Sequence, residues 1–336
     1  MTHEQRPLGT PFSPAATADE VLEGVDLTGR NAIVTAGHSG LGLETTRALA
    51  KAGAAVTVAA RNPEQARAAV AGIRRVEVEH LDLLDPASIQ AFADRWRATH
   101  EGLHILVNSA AVPTPGRLVL DARGYEVQFA TGHLGHFQLT LALHPALRAA
   151  RGARVVNVTS GAHRFGDIRW HDPHFADGYD PGGAYAQTKT ANILFAVALD
   201  RRWAADNIHG YAVHPGVVVG TKINTGADVQ AMRAAGLMDA DGKPVIDPAA
   251  GKKTPAQGAS TIVFAATSEL LTGIGGVYLR DNDVAPVNDE RLPVTADSIP
   301  TDVASHAIDP DSAARLWDLG ERLLGLRPRD GVGAHS

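Results

Sequence analysis

The order in which short apolar strands and helical segments follow one another constrains this chain most. The first strand is predicted at Ala32-Ile33-Val34-Thr35, a glycine-rich turn comes next, and residues 43–52 have helical periodicity. Six further strands are predicted at residues 55–59, 76–81, 105–108, 154–159, 211–213 and 276–279, and helical segments separate them. Strands separated by helices pair in parallel through right-handed crossovers. We therefore expect an α/β fold in which a seven-stranded parallel sheet is doubly wound, with helices on both faces, as a single domain.

The remaining stretches give the predicted organisation of the chain. Residues 1–24 are polar and contain three prolines, which predicts an N-terminal arm that lies on the surface or is disordered. Residues 25–280 are predicted to form the domain, and the long, glycine-rich stretch 217–254 has the character of a mobile substrate-binding lobe. Residues 281–336 are predicted to form a C-terminal extension, in which Asp309-Pro310 opens a final helix.

Composition excludes several classes of function. The chain has 336 residues with 44% hydrophobic content, enough to bury a substantial core. It contains no cysteine, which excludes disulfides, thiol nucleophiles and cysteine-ligated metals. The net charge of −6, without a dense basic cluster, disfavours nucleic acid and anionic membranes as partners. No apolar run reaches the roughly 18 residues that span a bilayer, and no secretory signal is visible. We expect a cytoplasmic protein with a small-molecule partner, and homo-oligomer formation stays open.

A tyrosine and a lysine stand four positions apart, at Tyr185 and Lys189, in a sequence that favours a helix. Residues at i and i+4 share one helical face. A phenol needs its pKa lowered by about 3 units, or about 4 kcal/mol, to act as an acid or base near neutrality. A cation about 4 Å away at an effective dielectric near 20 contributes about that much. We therefore predict that Lys189 lowers the pKa of Tyr185.

Two further motifs give this pair a context. Ser160 ends the β-branched strand 154–159, and the glycine-rich turn from Thr35 to Gly42 follows the first strand. A turn of this kind followed by Ser160 and Tyr185-x-x-x-Lys189 resembles the short-chain dehydrogenase/reductase family, which has a Rossmann-type fold. The 25-residue gap between Ser160 and Tyr185 and the run Val213-His214-Pro215-Gly216 are most similar to the branch of retinol dehydrogenases and WW-domain oxidoreductases. The resemblance covers about residues 25–280.

The resemblance implies reversible hydride transfer between a nicotinamide cofactor and a carbonyl or alcohol. Tyr185 would exchange the proton with the substrate oxygen, Ser160 would hydrogen-bond the same oxygen, and Lys189 would also bind the nicotinamide ribose. Arg61 ends the second strand, where a cation accepts a 2′-phosphate, so NADP(H) is favoured and NAD(H) stays an alternative. The aromatic residues Trp170, Phe175 and Tyr179 are interpreted as lining or covering a pocket for an apolar substrate.

The cofactor site implied by the family motifs extends over several strand ends. Amide groups of the glycine-rich turn would hold the pyrophosphate, and Asp82-Leu83 would contact the adenine. The full set of predicted cofactor-binding residues is Gly37, His38, Ser39, Gly40, Leu41, Gly42, Arg61, Asp82, Leu83, Asn108, Ala110, Tyr185, Lys189, Pro215, Gly216, Val218 and Thr221. The spacing of His163, His171 and His174 is interpreted as that of surface or loop histidines, and no metal site is predicted.

Some positions depart from the family pattern. Ala36 stands at the usual leading glycine, Ser109 and Ala111 alter the motif after Asn108, and Gly132 replaces an asparagine that holds a water in the proton relay. We expect Gly132→Asn to leave turnover equal or to raise it, with a large loss meaning that the glycine makes room for substrate; extra water or His133 would substitute in the relay. Two alternative functions stay open: epimerisation or elimination without net redox change, and nucleotide binding by a regulatory protein whose catalysis has decayed.

Overall fold

The computed structural model describes residues 4–219, 221, 229–295 and 298–326. A single sheet has the strand order β3-β2-β1-β4-β5-β6-β7-β8. Its strands are β1 Asn31–Thr35, β2 Ala55–Ala60, β3 Val76–His80, β4 Ile105–Asn108, β5 Ala153–Val158, β6 Ile208–His214, β7 Val277–Arg280 and β8 Asp283–Val284. The α-helices are α1 Ala18–Val21, α2 Gly40–Lys51, α3 Pro63–Ala69, α4 Pro86–Thr99, α5 Val127–Phe129, α6 Gly135–Ala149, α7 Pro181–Trp203, α8 Val229–Ala234, α9 Pro255–Thr267 and α10 Pro310–Leu323.

The predicted doubly wound α/β fold is confirmed, because strands β1 to β7 pair in parallel in one sheet. The structure adds an eighth strand, β8, which pairs antiparallel with β7 through only two registered positions. Asp281 and Asn282 form the intervening turn with φ angles of 50° and 63°. Asp and Asn tolerate this left-handed conformation, so the turn is locally encoded. A strand of two residues is too short for its periodicity to be recognised.

The strand order places the functional edge of the sheet. Strand β1 pairs with β2 on one side and with β4 on the other, so the direction of winding reverses between β1 and β4. In sheets of this kind, ligands bind outside the carboxyl ends of the strands at that reversal. The turns that follow β1, β4, β5 and β6 therefore meet at one edge, and they include Ser160 and Pro215-Gly216.

Helices cover both faces of the sheet with apolar side chains. One face packs residues of α4, α6 and α7, among them Trp96 and Phe195, and the opposite face packs residues of α2 and α9 such as Leu49 and Ile262. The C-terminal helix α10 closes the first face, where Trp317 meets the ring of Phe137 edge-on with 5.0 Å between centroids. The predicted final helix therefore contributes to the core.

The N-terminal arm is docked along the edge of the sheet from residue 4 onward. The Gln5 amide donates hydrogen bonds to the carbonyls of Tyr278 and Ala285, both at 2.7 Å, and accepts one from the Tyr278 amide at 3.0 Å. Asp283 accepts hydrogen bonds from the backbone of Leu8 and Gly9. The arm thereby covers the edge strand, which would otherwise offer unpaired backbone groups to another chain. Residues 1–3 of the predicted arm lie outside the described residues.

Two predicted segments need qualification. The single helix expected near residues 125–147 is interrupted by a π-helical turn at Ala130–Leu134, which separates α5 from α6. Residues 220 and 222–228 of the predicted lobe and residues 327–336 of the predicted extension lie outside the described residues.

In the part of the chain that the structure describes, no helix is both long and apolar enough to cross a membrane.

Candidate active site

Ser160, Tyr185 and Lys189 line one cleft of about 220 Å³ at the carboxyl edge of the sheet. Ser160 directly precedes the 3-10 turn Gly161–Phe165, and its hydroxyl accepts a hydrogen bond from the amide of Ala162 at 3.2 Å. Tyr185 and Lys189 lie on one face of α7, as their spacing predicts. The predicted residues that line the cleft are Ser39, Gly40, Leu41, Gly42, Ser160, Tyr185, Lys189, Pro215, Gly216, Val218 and Thr221.

The electrostatics of the Tyr185–Lys189 pair differ from the sequence-based prediction. Burial raises the pKa of Tyr185, and a hydrogen bond with Ser160 lowers it only in part. The Lys189 ammonium lies 5.3 Å from the centroid of the Tyr185 ring and donates a hydrogen bond to the Val158 carbonyl at 3.3 Å. Burial lowers the pKa of Lys189 itself to about 8. The expected lowering by Lys189 is thus corrected: in this geometry burial dominates and the phenol stays protonated near neutrality.

The glycine-rich turn leaves an open helix N-terminus at the cleft. Ser39 is the N-cap of α2, but its side chain makes no capping hydrogen bond. A Cβ at Gly42 would lie 2.6 Å from the Ala36 carbonyl oxygen, and Gly40 has a φ of 52°. The first amides of α2 therefore face the cleft without a covering side chain, and such a helix start binds phosphate groups. The residues present fit the pyrophosphate of a dinucleotide.

The predicted adenosine side lies further along the same edge. Arg61 is exposed directly after β2, and the next residue, Asn62, caps α3 by accepting a hydrogen bond from the Gln65 amide at 3.1 Å. Asp82 follows β3 closely, and its carboxylate accepts a hydrogen bond from the Leu84 amide at 2.9 Å. Among the described residues, the predicted positions that do not line the cleft are Gly37, His38, Arg61, Asp82, Leu83, Asn108 and Ala110.

The segment after β4 is held by a buried hydroxyl. Thr35 accepts hydrogen bonds from the amides of Ser109 at 2.8 Å and Ala110 at 3.0 Å, and its hydroxyl lies 2.9 Å from Nε2 of His136. Asn108 is buried, and its amide donates to the side chain of Asn157 at 2.8 Å. Asn108 therefore supports the strand ends from behind. Three positions that depart from the family motifs also line the cleft, namely Ala36, Ser109 and Ala111. Sequence reasoning did not name three further lining residues, Val158, Thr159 and Val217.

Gly132 has a packing role that the sequence did not reveal. A Cβ at this position would lie 2.7 Å from the Cγ2 methyl of Thr188 on α7. The glycine thus allows the π-helical turn to approach α7 closely, and any side chain there must displace Thr188. The expectation that Gly132→Asn leaves turnover equal or raises it stays a prediction, and the structure adds that the asparagine requires Thr188 to shift. The ring of His133 packs among aromatic residues, 5.1 Å from Phe129 and 5.8 Å from Phe195, and its expected part in the relay stays a prediction.

Two histidines hold the turn that carries Ser160. The Nδ1 atom of His163 lies 2.8 Å from the Ser160 carbonyl, and its Nε2 accepts a hydrogen bond from the Ala304 amide at 3.1 Å. The Nδ1 atom of His214 accepts a hydrogen bond from the Gly161 amide at 3.1 Å. Burial lowers the pKa of His163 to about 4 and that of His214 to about 3, so both rings are neutral. His214 belongs to the run quoted for the family resemblance, which is the signal that could have revealed it.

The predicted pocket aromatics lie elsewhere. Phe175 is only 3% exposed and stacks under the Arg169 guanidinium at 4.4 Å, and Trp170 packs in the same way with Arg315 at 4.2 Å. The Tyr179 hydroxyl donates to the Pro115 carbonyl at 3.2 Å. These three side chains stabilise the loop before α7, and the interpretation that they line the substrate pocket is not supported.

The chain is similar to known proteins over most of its length. The short chain dehydrogenase family model matches residues 30–231. A protein named probable oxidoreductase from Streptomyces lividans is 47% identical over 306 residues, which cover 89% of this chain and 99% of the relative. Retinol dehydrogenase 12 from Mus musculus is 35% identical over 310 residues, covering 90% and 89%. The crystal structure of an uncharacterized protein from Mycobacterium paratuberculosis superposes with a TM-score of 0.69 at 31% identity, covering 93% and 98%.

The doubly wound sheet, the family model and the named relatives together place the chain among the nicotinamide-dependent oxidoreductases. The chain belongs to the short-chain dehydrogenase family. Within this family it falls in the branch that contains the retinol dehydrogenases and the WW-domain oxidoreductases, as predicted, and it is an NAD(P)-dependent enzyme acting on CH–OH groups.

Proposed function

We propose that the chain is an NADP(H)-dependent oxidoreductase that interconverts a carbonyl and an alcohol on an apolar substrate. The observation that carries the proposal is the convergence of Ser160, Tyr185 and Lys189 in one cleft, next to the open N-terminus of α2. A bound nicotinamide dinucleotide supplies or accepts the hydride. The chain would act in the cytoplasm on a small-molecule partner.

The residues of the chain would handle the proton and orient the substrate. Tyr185 donates its proton to the carbonyl oxygen during reduction and takes it back during oxidation. Ser160 hydrogen-bonds Tyr185 and is placed to bind the same substrate oxygen, which stabilises the charge that develops there. Burial raises the pKa of Tyr185, so the hydroxyl is protonated at neutral pH, and the bound cofactor and substrate must favour the release of its proton. Lys189 would hold the ribose end of the dinucleotide and place a positive charge beside the phenol.

Arg61 supports NADP(H) over NAD(H). It is exposed at the end of β2, the position that contacts the 2′ group of the adenosine ribose in this fold. A guanidinium binds a phosphate with a planar pair of donors, whereas an acidic residue there would favour a free 2′-hydroxyl. Arg61→Ala should therefore weaken the binding of NADPH and leave the affinity for NADH nearly unchanged. NAD(H) stays the alternative cofactor.

An apolar substrate is supported by exposed apolar residues on the segments that follow and contact the Ser160 turn. Phe165 lies on the 3-10 turn that follows Ser160, and the residue is 61% exposed. Leu292 and Val294 are also exposed, on the segment whose Glu290 carbonyl is bound by Arg164 of the same turn. Exposed apolar side chains can contribute to the binding of an apolar ligand. The relative named retinol dehydrogenase carries the name of an apolar alcohol as its substrate.

The test follows absorbance of the reduced nicotinamide, with NADPH against a panel of carbonyls and NADP against alcohols. The proposal expects net consumption or formation of NADPH, lost by about 100-fold or more in Tyr185→Phe. Tyr125→Phe is the matched control, because that hydroxyl donates to the Leu323 carbonyl on α10, away from the cleft. Product without net cofactor change would instead indicate epimerisation or elimination. Binding without turnover would indicate a regulatory protein.

A further inference from the structure

Lys253 is a buried cation at the end of the 217–254 stretch. The residue is 1% exposed, and its ammonium lies 2.6 Å from an Asp281 carboxylate oxygen. Asp281 belongs to the turn that joins β7 and β8, on a different part of the chain. Burying a charge is costly unless a counter-charge compensates for it, so the pair fixes the position of both segments.

The stem of Lys253 lies directly beneath the Pro215–Gly216 turn. A Cβ at Gly216, which has a φ of 83°, would lie 2.9 Å from Cδ of Lys253 and 2.9 Å from the Gly251 carbonyl oxygen. The backbone pairs as well, because the Val217 amide donates to Gly251 at 2.8 Å and the Lys253 amide donates to Val217 at 2.9 Å. The lysine thus forms the floor on which this turn rests.

Lys253 belongs to a cluster of charged residues beneath the cleft. We call this cluster the support, and its members are Lys253, Arg280, Asp281 and Asp302. Arg280 donates to Asp281 at 2.9 Å and to Asp302 at 2.7 Å. Burial raises the pKa of Asp281, but the charges of Lys253 and Arg280 outweigh it, and the net pKa is lowered. Asp281 therefore stays ionised and holds both cations.

We propose that Lys253 is a positioning residue for the nicotinamide end of the cofactor site, acting through the Pro215–Gly216 turn and anchored by Asp281. The inference rests on the proposed function and on the family resemblance, which implies that Pro215, Gly216 and Thr221 contact the nicotinamide end of the cofactor. An apolar side chain could fill the same space, but it would not select one position of the turn relative to β7. The ion pair supplies that selection. Lys253 touches neither substrate nor cofactor in this proposal.

The test separates the two halves of the cofactor. Binding of NADPH is compared with binding of 2′-phospho-ADP-ribose, which lacks the nicotinamide ring, by fluorescence and calorimetric titration. Lys253→Met should weaken NADPH by about tenfold and leave the affinity for 2′-phospho-ADP-ribose unchanged. Lys243→Met is the matched control, since Lys243 is an exposed lysine of the same stretch, and it should behave as the unmodified chain for both ligands.

A second variant covers the case in which Lys253→Met folds poorly. Lys253→Met combined with Asp281→Asn removes both charges, and asparagine suits the left-handed conformation at position 281. It should show the same loss for NADPH alone. Equal affinities to the unmodified chain, or parallel loss of both ligands, would overturn the inference. Failure of the unmodified chain to bind NADPH would overturn the proposed function as well, so the two failures are distinguishable.

Discussion

The chain buries two lysines in opposite ways. In the catalytic cleft, Lys189 is 5% exposed, and its ammonium donates to a backbone carbonyl at 3.3 Å. In the support beneath the cleft, Lys253 is 1% exposed, and its ammonium lies 2.6 Å from a carboxylate. Among the described residues no carboxylate forms an ion pair with Lys189, and burial lowers the pKa of Lys189 to about 8. One lysine is therefore poised to lose its proton near neutral pH, whereas the other is fixed as one half of an ion pair.

Backbone conformation shows the same contrast. In the cleft, Ala36 has a φ of 53°, which its methyl group disfavours. In the β7–β8 turn, which contributes Asp281 to the support, the left-handed positions belong to Asp281 and Asn282, residue types that adopt this conformation readily. The cleft thus keeps unfavourable features that the support avoids. Proteins concentrate such features where function requires them, and the surrounding structure compensates.

The largest expected effect comes from removing the charge in the cleft. Lys189→Met should reduce turnover by about 100-fold or more if the lysine assists proton transfer. It should also stabilise the fold near pH 7 by on the order of 2 to 3 kcal/mol, since burial lowers the pKa of Lys189 from 10.5 to about 8. Between those values the unfolded chain binds more protons, so the unmodified protein gains stability as pH rises and the difference closes. Urea denaturation at pH 7 and pH 10 measures this.

A matched control for this variant is the exposed Lys243→Met, which should change neither turnover nor stability. A Lys189→Met protein that is less stable than the unmodified chain at pH 7 would contradict the contrast between the two lysines.

The support should respond in the opposite direction. Lys253→Met leaves Asp281 with Arg280 as its remaining cation and should destabilise the fold by about 2 to 3 kcal/mol, because the buried hydrogen bond between two charged groups is lost. Lys253→Met with Asp281→Asn should recover much of that loss. Chemical denaturation of the two variants beside the unmodified chain decides the matter. Equal stability of the single and double variants would mean that the ion pair is not what holds this region.

His133 is an exception to the contrast between the cleft and the rest of the fold, because it is a destabilising buried group that lies outside the cleft. Within the described residues neither of its ring nitrogens has a hydrogen-bond partner, and burial lowers its pKa from 6.5 to about 3. Unfolding lets the ring take up a proton below pH 6.5, so stability falls as pH falls through that range. His133→Leu should therefore stabilise the fold by about 2 kcal/mol at pH 5 and by less at pH 7.5.

Thermal unfolding at the two pH values checks this prediction for His133. His136, His163 and His214 share the behaviour, with pKa values lowered by burial to between about 3 and 4, so some acid sensitivity persists in the variant. The loss of stability between pH 7.5 and pH 5 should be smaller in His133→Leu than in the unmodified chain. An equal loss in both proteins would contradict the assignment of this histidine as neutral in the fold.

Local sequence patterns were sufficient to predict most of the fold and part of the site. Periodicity located seven strands, and motif spacing brought Ser160, Tyr185 and Lys189 to the same edge, because both depend on residues that are near in sequence. Contacts between residues that are distant in sequence could not be predicted from these patterns. The Cβ space at Gly132 is set by Thr188 on another helix, and Lys253 finds Asp281 only after the sheet has assembled. The roles assigned to the three cleft residues stay predictions.

The smallest effect is expected at Ala36, where the sequence could not give the sign of φ. Because φ is 53°, Ala36→Gly should relieve strain and stabilise the fold by about 1 kcal/mol, after allowance for the greater freedom of glycine in the unfolded chain. The same substitution at Ala68, exposed in α3, should cost about 1 kcal/mol. Opposite signs for the two variants in urea denaturation would sharpen the contrast between cleft and support. Destabilisation by both substitutions would mean that the left-handed alanine carries no strain. Of the two costly features compared in the cleft, the φ of Ala36 and the buried charge of Lys189, the second alone would then remain.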